Sequence, residues 1–452
     1  MAKKTKAADL SIEEKLEQAL IVPGYEPYKI PDNWCWTSFK NVAEVVTGGT
    51  PSKKHKEYYG NVFPFFKPAD LNTGRNVSIA SEYLSEEGKK VSRVIPAKST
   101  LVCCIGSIGK SGFLEIEGST NQQINSAIPK IEPLYLYYYV NTDCFINQLW
   151  SKSSATTISI VNKTKMEECY FPLAPLPEQQ RIVERIESLF SKLDEAKEKA
   201  QEAIDSFETR KAAILHKAFS GELTAKWREE NGVGIESWER KRISECCKLG
   251  SGGTPSRKKP NYYIGDIPWI KTGEINWNTV NYSEESITKE AIDNSSAKVY
   301  APGAVLVAMY GMGITRGKAA ILGIEAATNQ AVCVLQPKEY LFNRYLYFFF
   351  MCNYWDIREQ AVGGNQLNLS ATIIGKLNID IPNLEEQYVI TELLDSIIEK
   401  EYQTKQIAES VIDQIDAMKK AILARAFRGE LGTNDHEEES AVELLKQILT
   451  GE

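Results

Sequence analysis

The chain has 452 residues, 43% of them hydrophobic, and a formal net charge of −7. This composition excludes a disordered chain, and the length allows about three domains of about 150 residues each. The sequence has no run of 18 apolar residues and no apolar stretch directly after its basic first residues, so neither a membrane span nor a signal peptide is predicted.

Cysteine and histidine usage indicates no metal site. The nine cysteines include no C-x-x-C pair, and there are only three histidines. We therefore predict reduced cysteines in a cytoplasmic protein and no metal bound by this chain.

The negative charge is concentrated at one end of the chain. Residues 432–452 hold six acidic residues and one lysine, whereas residues 48–98 hold nine lysines and arginines against five acids. Because a local basic patch is what binds phosphate groups, the overall acidity does not exclude a nucleic-acid partner.

Residues 1–30 are predicted to form an N-terminal helical segment, with an amphipathic helix over residues 10–20. Three lysines precede that helix and are expected to be disordered, namely Lys3, Lys4 and Lys6.

Residues 31–176 are predicted to form a first globular domain. Three runs alternate apolar and polar residues between turn-forming residues and are typical of strands, at 101–105, 113–116 and 127–131. Residues 135–150 carry aromatic residues at helical spacing, which predicts one core helix.

A turn rich in glycine and hydroxyl residues, Gly48-Gly49-Thr50-Pro51-Ser52, lies near the start of this domain and is followed by two lysines. Glycines let a backbone approach a phosphate closely, hydroxyls hydrogen-bond to it, and lysines neutralise it. Further along, Asn-Gln side chains can pair with adenine edges in the major groove, although such pairs also cap turns. The candidate DNA contacts of this domain are Gly48, Gly49, Thr50, Ser52, Lys53, Lys54, Lys67, Lys110, Asn121 and Gln122.

The segment Gly106-Ser-Ile-Gly109-Lys110-Ser111 is similar to the end of a P-loop. The pattern G-x-x-x-x-G-K-[ST] requires glycine at position 104, however, where this chain has Cys104. We therefore interpret the segment as a turn between strands. The sequence also lacks a dinucleotide-binding fingerprint and the Asn/Asp-Pro-Pro-aromatic signature of amino-methyltransferases, so no enzyme active site is predicted.

Residues 177–223 predict a long helix that starts at Pro177 and ends at Gly221. Its seam residues recur at alternating spacings of four and three, which is typical of a coiled coil. They are Ile182, Ile186, Leu189, Leu193, Ala196, Ala200, Ala203, Phe207, Arg210 and Ile214. The helix is expected to have about 40 residues and a length on the order of 60 Å.

The chain then repeats itself. The sequence of residues 48–52 recurs 204 positions later as Gly252-Gly253-Thr254-Pro255-Ser256. Likewise, Thr120-Asn121-Gln122 recurs as Thr328-Asn329-Gln330. A period of this length is a whole domain with its connector, which we place at residues 224–383. Its candidate DNA contacts are Gly252, Gly253, Thr254, Ser256, Arg257, Lys258, Lys259, Lys271, Arg316, Lys318, Asn329 and Gln330.

The two copies differ at residues 72–94 and 276–298, which align poorly although the residues on either side of them match. Two related scaffolds with different surfaces would read two different short sequences.

Residues 384–431 repeat the long helix, and residues 432–452 form an acidic tail with a helix candidate over 441–449. The second seam contains Ile390, Leu394, Ile397, Glu401, Thr404, Ala408, Val411, Ile415, Met418 and Ile422, and it is expected to end at Gly429. Glu401 and Thr404 are polar seam positions that either fix the register or contact a partner.

The predicted fold class is α+β. Two globular mixed α/β target-recognition domains are separated by two long antiparallel coiled-coil helices, in a pseudo-twofold internal repeat. Small seam residues would allow the helices to approach closely, whereas packing of each helix on its own domain is the alternative.

The chain resembles the specificity subunits of Type I restriction-modification systems over residues 30–450. The resemblance rests on the twin Gly-Gly-Thr-Pro-Ser turns and the twin Thr-Asn-Gln segments described above. It also rests on the helix openings Pro177-Glu178-Gln179-Gln180 and Leu384-Glu385-Glu386-Gln387, and on the closures Phe219-Ser-Gly-Glu-Leu223 and Phe427-Arg-Gly-Glu-Leu431.

The resemblance implies that each domain reads one half of a bipartite, asymmetric site in double-stranded DNA and that the helices set the unread gap. It implies a non-catalytic subunit that docks two modification (methyltransferase) subunits, which restriction subunits join. S-adenosylmethionine, ATP and Mg are expected on those partners, and no cofactor is expected on this chain. It further implies that the N-terminal segment and the acidic tail complete the symmetry between the copies.

Two other functions stay open from the sequence. The chain could be the recognition subunit of a Type IIB-like restriction-methylation enzyme, which only the catalytic partner would distinguish. A coiled-coil scaffold that binds proteins would explain the helices but would leave the basic turns without a role.

Overall fold

The computed structural model describes residues 11–154, 159–311, 314–361 and 368–451. The lysines expected to be disordered, Lys3, Lys4 and Lys6, lie outside these ranges. The chain divides into two compact units, Met1–Ala200 with Ser410–Glu452 and Gln201–Glu409. Each unit therefore contains one copy of the repeated domain and a segment of each long helix. Across the described ranges, no helix combines the length and apolar character that a membrane crossing requires.

The first copy is built from short strands and helices. Its strands are β1 Cys35–Ser38, β2 Ala43–Thr47, β3 Tyr59–Gly60, β4 Phe63–Phe66, β5 Glu82–Leu84, β6 Thr100–Cys103, β7 Ser111–Phe113, β8 Ser119–Thr120, β9 Ile124–Pro129 and β10 Tyr170–Leu173. Its helices are α1 Ile12–Ala19, α2 Phe39–Val42, α3 Glu86–Val91, α4 Pro133–Val140, α5 Asp143–Lys152, α6 Lys163–Glu167 and α7 Leu176–Asp205.

These strands form two four-stranded sheets, in the orders β2-β9-β6-β7 and β3-β5-β4-β8, while β1 pairs with β10. The strands predicted at 101–105, 113–116 and 127–131 correspond to β6, β7 and β9 with shifted ends. All residues of β6 and β7 are buried, because both faces of the sheet are covered.

The second copy has the same plan. Its strands are β11 Glu239–Arg242, β12 Cys247–Ser251, β13 Ile267–Ile270, β14 Thr279–Val280, β15 Ser286–Ile287, β16 Val299–Tyr300, β17 Val305–Ala308, β18 Ala319–Leu322, β19 Ala326–Thr328, β20 Val332–Pro337 and β21 Asn378–Ile381. The helices that follow α7 are α8 Phe207–Phe219, α9 Ala225–Asn231, α10 Ile243–Cys246, α11 Lys289–Asp293, α12 Asn343–Cys352, α13 Tyr354–Glu359, α14 Ala371–Lys376, α15 Leu384–Ala426 and α16 Ala441–Thr450.

The sheets of the second copy have the orders β12-β20-β17-β18-β14 and β15-β13-β19-β16, and β11 pairs with β21. The antiparallel pair β12–β20 reproduces the pair β2–β9 of the first copy. The internal repeat predicted from the sequence is therefore a repeat of the fold.

The aromatic segment predicted as one core helix forms two helices, α4 and α5, so that prediction was wrong. Thr142 lies between them, and its hydroxyl accepts a hydrogen bond from the backbone N–H of Phe145 at 3.2 Å. A threonine that caps a helix in this way favours a new helix start. The aromatic residues do belong to the core, since Tyr135 and Tyr139 are fully buried.

The first long helix is interrupted at Ser206, between α7 and α8, whereas α15 runs unbroken for 43 residues. The Ser206 hydroxyl donates to the Glu202 carbonyl at 2.5 Å, a bond that typically bends a helix. The Ser206 backbone N–H still reaches the same carbonyl at 3.0 Å. Gly221 and Gly429 have φ of +81° and +72° beyond the ends of α8 and α15, as the predicted helix endings require.

The seam follows the predicted positions only in part. Ala196, Thr404 and Met418 were assigned to the seam but are exposed, and the neighbouring Lys405 and Lys419 are half-buried. An α-helix has 3.6 residues per turn and not 3.5, so a strict heptad pattern drifts around a straight helix. The apolar stems of the two lysines cover the seam where it drifts.

Within each unit the two long helices pack antiparallel. In the first unit, Lys197 pairs with Asp416 at 2.8 Å, and Asp194 pairs with Lys419. In the second unit, Arg210 pairs with Glu401, one of the two polar residues of the second seam.

That Arg210–Glu401 pair spans 2.8 Å. Lys405 also lies over the ring of Phe207, at 5.1 Å from its centroid. Thr404 donates a hydrogen bond to the Lys400 carbonyl of its own helix at 2.8 Å, and its side chain is exposed.

The acidic tail closes onto the first copy. Helix α16 packs against α1, and the backbone N–H of Ala441 donates to the Asn33 carbonyl at 2.9 Å. Arg181 of α7 binds the tail residue Glu438 at 2.7 Å. The helices predicted near both ends of the chain are present, and the tail charge is used in internal packing.

Each long helix begins with a buried glutamate. Glu386, at the start of α15, is fully buried and accepts hydrogen bonds from the Thr224 hydroxyl at 2.7 Å and the Trp238 indole at 3.0 Å. Arg228 forms an ion pair with it at 2.6 Å.

Glu178 has the same position in the first copy. It is fully buried and accepts hydrogen bonds from Thr433 and Arg181, each at 2.8 Å. Burial raises the pKa of Glu178 above its ordinary value in spite of these two donors.

Candidate nucleic-acid interface

The glycine-rich turn of the first copy lies directly against the Thr-Asn-Gln segment. The backbone N–H of Gly49 donates to the Thr120 carbonyl at 2.8 Å, and the Thr50 hydroxyl donates to the side-chain oxygen of Gln122 at 2.6 Å. Thr50 and Gln122 are 72 residues apart in the chain. The two repeated motifs are therefore one structural feature.

The second copy repeats this arrangement atom for atom. The backbone N–H of Gly253 donates to the Thr328 carbonyl at 2.9 Å, and the Thr254 hydroxyl donates to the side-chain oxygen of Gln330. Thr50, Gln122, Thr254 and Gln330 are all exposed, so the hydroxyl–amide pair lies at the surface in both copies.

The first glycine of each turn is required by the chain's own packing. A Cβ atom on Gly48 would lie 2.1 Å from the Asn121 carbonyl oxygen, and one on Gly252 would lie 1.9 Å from the Thr328 carbonyl oxygen. A Cβ atom on Gly253 would lie 2.3 Å from the Ser296 hydroxyl oxygen. Close approach of two protein segments therefore accounts for Gly48, Gly252 and Gly253. A Cβ atom on Gly49 would meet no atom of the described residues within 4 Å, and the phosphate contacts of the glycines stay a prediction.

The asparagines of the two Thr-Asn-Gln segments stabilise their own turns. The side-chain oxygen of Asn121 accepts a bond from the backbone N–H of Gln123 at 3.1 Å, and that of Asn329 accepts one from Ala331 at 3.1 Å. Asn121 is only 8% exposed. Of the two functions that the sequence left open, the geometry favours the turn cap for both asparagines, which leaves Gln122 and Gln330 as the candidates for base contact.

The lysines of the first turn are free of ion pairs. Ser52, Lys53 and Lys54 are exposed, and within the described residues no carboxylate pairs with either lysine. Flexible ammonium groups at a surface turn are suited to neutralise a phosphate backbone.

The second turn differs, because its arginine is bound to the protein. Arg257 pairs with Glu285 at 2.6 Å and lies over the Tyr263 ring, 4.1 Å from its centroid. The Glu285 hydrogen bond raises the pKa of the Arg257 guanidinium further. Lys259 donates to the Tyr262 hydroxyl at 2.8 Å.

Ser256 and Lys258 complete the second turn, and both are exposed. In the described part of the chain, Lys258 makes no ion pair. In the second turn Arg257 is therefore neutralised, Lys258 has no ion pair among the described residues, and Lys259 has the Tyr262 hydroxyl as its hydrogen-bond acceptor.

Lys67 and Lys271 occupy matching positions but both are neutralised. Lys67 pairs with Glu82 at 2.8 Å, and Lys271 pairs with Glu284 at 2.9 Å and Glu285 at 3.0 Å. Their predicted phosphate contacts would require these ion pairs to open.

The P-loop-like segment connects β6 to β7. It is therefore a turn between strands, as we predicted. Gly106 and Gly109 have φ of +79° and +87°, and Gly317 of the second copy has φ of +89°. Lys110, Arg316 and Lys318 are half-buried beside these glycines.

Sequence reasoning missed Arg93 as a neighbour of the first turn. Its guanidinium donates to the Thr47 carbonyl at 2.5 Å, directly before Gly48, and the side chain is exposed. Arg93 lies in the poorly aligned segment 72–94, so no repeat signal marked it.

The interface can bind anions but offers no metal ligands. Within the described ranges, no group of three or more His, Cys, Asp and Glu side chains is arranged to hold a metal ion. In each copy, the exposed cations flank an exposed threonine–glutamine pair. That combination provides charge for phosphate contact and an amide for base contact.

The family model for the Type I restriction modification DNA specificity domain matches the chain twice, at residues 31–205 and 235–411. The Type I restriction enzyme MjaIX specificity subunit of Methanocaldococcus jannaschii is 24% identical over 419 residues, which cover 89% of this chain and 94% of that protein. The Type I restriction enzyme EcoDI specificity subunit of Escherichia coli is 26% identical over 209 residues, 45% of each chain.

Two solved structures share the fold. A chain of a type I R-M system has a TM-score of 0.68 and 19% identity, and the match covers 90% of this chain and all of that one. The HsdS subunit from Thermoanaerobacter tengcongensis has a TM-score of 0.64 and 19% identity, with 90% of this chain and 99% of that one covered.

Proposed function

Because the chain belongs to the family of Type I restriction modification DNA specificity domains, we propose that each of its two copies reads one half of a bipartite, asymmetric site in double-stranded DNA. The observation that carries the proposal is the exposed threonine–glutamine pair beside a basic turn, present once in each copy. Phosphate contacts by the turns would position the chain, and Gln122 and Gln330 would contact bases.

Different segments on matching strands support an asymmetric site. The strand orders β2-β9-β6-β7 and β5-β4-β8 of the first copy match β12-β20-β17-β18 and β15-β13-β19 of the second. Residues 72–94 and 276–298 align poorly between the copies. Because bases are read by side chains and phosphate contacts carry no sequence information, two half-sites of different sequence would follow from these two different segments.

The half-sites are identified by mapping adenine methylation in DNA from cells that carry the complete system. Every modified position is expected to fall in one bipartite motif with a constant gap. A single continuous motif, or two motifs that occur independently, would show that the copies do not act together.

The long helices set the unread gap in this proposal. Inserting four residues after Ala200 and four after Glu409 adds about 6 Å to both helices. The gap is expected to grow by about two base pairs, since base pairs are stacked 3.4 Å apart, while both half-site sequences stay the same. Methylation mapping of the variant measures this, and an altered half-site would contradict the ruler function.

The chain is a recognition subunit and acts together with methyltransferase and restriction subunits. We infer that two modification subunits dock on it, one for each copy, and that S-adenosylmethionine, ATP and Mg are bound by the partners. The purified chain with S-adenosylmethionine alone is expected to transfer no methyl group to DNA. Addition of the modification subunit is expected to restore transfer at both half-sites, which labelled methyl incorporation measures. Transfer by the chain alone would contradict this division of labour.

A further inference from the structure

A cleft of about 350 Å³ in the second unit combines cations with aromatic rings, apart from the basic turns. Its lining includes Lys211, Lys318, Trp277, Tyr354, Trp355 and Tyr402. A volume at the lower end of the range for small-molecule sites suits one small ligand and not a duplex.

The two lysines bring more positive charge than the cleft neutralises. The Lys211 ammonium lies 3.3 Å from the Tyr402 hydroxyl and 3.9 Å from the carboxylate of Glu208, which is highly exposed. Lys318 donates to the neutral amide oxygen of Asn276 at 2.5 Å. Burial, followed by the charges of Arg358 and Lys211, lowers the pKa of the Lys318 ammonium. An anion in the cleft would relieve this repulsion.

The aromatic side chains of the cleft are partly exposed. Arg358 lies over the Trp355 ring and Lys211 over the Tyr402 ring, each 5.6 Å from the ring centroid. Trp355 is 66% exposed and Tyr402 is 40% exposed, although both border the cleft. Tyr354 supports Trp355 edge-on, with ring centroids 4.9 Å apart. Trp277 has φ of +57°, a left-handed conformation that non-glycine residues rarely adopt and that occurs preferentially at ligand sites.

The first copy provides an internal comparison. Lys211 and Lys419 precede the phenylalanine of the two closing motifs by the same number of residues. Tyr402 and Asp194 follow the buried glutamates Glu386 and Glu178 by equal distances. Lys419 pairs with Asp194, whereas Lys211 meets the neutral Tyr402 and has only the exposed Glu208, at 3.9 Å, as an ion-pair partner within the described residues.

The other cation of the first cleft is neutralised as well. Arg75 pairs with Glu115 at 2.7 Å and with Glu187 at 3.3 Å. The cleft of the first copy, about 400 Å³, therefore has its charge balanced by the protein. In the second copy, a tyrosine in place of the aspartate leaves the charge for a ligand.

We propose that the cleft of the second unit binds a nucleotide, that is, an aromatic base that carries a phosphate. Trp355 and Tyr402 stack on the base, and Lys211 and Lys318 hold the phosphate. The nucleotide is either free in solution or an unpaired residue of a DNA strand. This site is separate from the proposed reading of duplex DNA by the basic turns.

Calorimetric titration of the full chain tests the site with AMP, adenosine, inorganic phosphate and a short single-stranded oligonucleotide. AMP, the oligonucleotide or both are expected to bind saturably. Binding of AMP would show that the site takes a free nucleotide. Binding of the oligonucleotide without binding of AMP would show that it takes an unpaired residue of a DNA strand. Adenosine and phosphate are each expected to bind at least about tenfold more weakly than the ligand, because each lacks one half of the contacts.

Variants assign the binding to the cleft. Lys318→Gln and Trp355→Leu are each expected to weaken the ligand by about tenfold. Lys226→Gln, an exposed lysine of the second unit outside the cleft, is expected to have no effect. The Trp355→Leu variant is also expected to bind duplex DNA as the parent chain does, so failure of the nucleotide site is distinguishable from failure of DNA recognition. The proposal is overturned if neither AMP nor the oligonucleotide binds, or if both cleft variants bind the ligand as the parent chain does. It is also overturned if the cleft binds an acidic peptide and no nucleotide.

Discussion

Replacing Glu386 with alanine is expected to lower the free energy of unfolding of the chain by about 3–5 kcal/mol, as the removal of one partner of a buried ion pair typically does. The carboxylate is fully buried, and the side chain of Arg228 is only 10% exposed. Without Glu386, the Arg228 guanidinium keeps the neutral acceptors Thr224 and the Gly221 carbonyl but no negative charge. The Trp238 indole loses its acceptor as well. Chemical denaturation followed by tryptophan fluorescence measures the loss.

The first copy supplies a matched control for this variant. Glu178→Ala removes the corresponding carboxylate, but the Arg181 side chain is 36% exposed and keeps the ion pair with Glu438. The expected cost is therefore that of unpaired hydrogen-bond donors, about 1–3 kcal/mol. Equal losses in the two variants would show that the stranded arginine is not the source of the difference.

The comparison of Glu178 with Glu386 also shows what a repeat in sequence can predict. The repeat places both glutamates at the start of a long helix, and both are buried. Their partners cannot be predicted from the repeat, because Arg228 comes from a segment after the first long helix, whereas Arg181 lies one turn along the same helix as Glu178. Partners that are close in space and variable in sequence position leave no periodic signal.

The same limit explains the outcome for the candidate DNA contacts. The close approach of Gly48 to the Asn121 carbonyl could not be inferred from composition, since a glycine required by a ligand and one required by the chain's own packing look alike in sequence. Arg257 and Lys53 likewise occupy equivalent sequence positions. Only the folded chain brings Glu285 to Arg257.

The long helices were predicted well because their signal is local. Their start, their glycine endings and their antiparallel packing within each unit follow from spacing and helix chemistry. The interruption at Ser206 and the exposure of Met418 were not predicted, because they depend on a hydroxyl hydrogen bond and on drift of the seam. Local rules specify the element, and tertiary contacts decide its details.

Removing the two unpaired lysines of the first turn is expected to change the salt dependence of DNA binding. The logarithm of the affinity falls with the logarithm of salt concentration with a slope of about −0.9 for each neutralised phosphate. The double variant Lys53→Gln, Lys54→Gln is therefore expected to reduce the steepness of that slope by about 1.8 if each lysine contacts one phosphate. The loss should be similar for target and non-target DNA, since phosphate contacts carry no sequence information. Fluorescence anisotropy at several salt concentrations measures both quantities.

The second turn makes this prediction sharper, because it has the same motif with a different charge state. Arg257→Gln, Lys258→Gln is expected to reduce the slope by about 0.9, half the effect of the first pair, since Glu285 already neutralises Arg257. Glu285→Gln is expected to make the slope steeper. It frees Arg257 from its ion pair and removes one of the two carboxylates that neutralise Lys271. If the two double variants flatten the slope equally, Arg257 opens its ion pair on DNA. If neither changes it, the basic turns do not contact phosphate, and the exposed glutamines would then have to be positioned on DNA by another part of the chain.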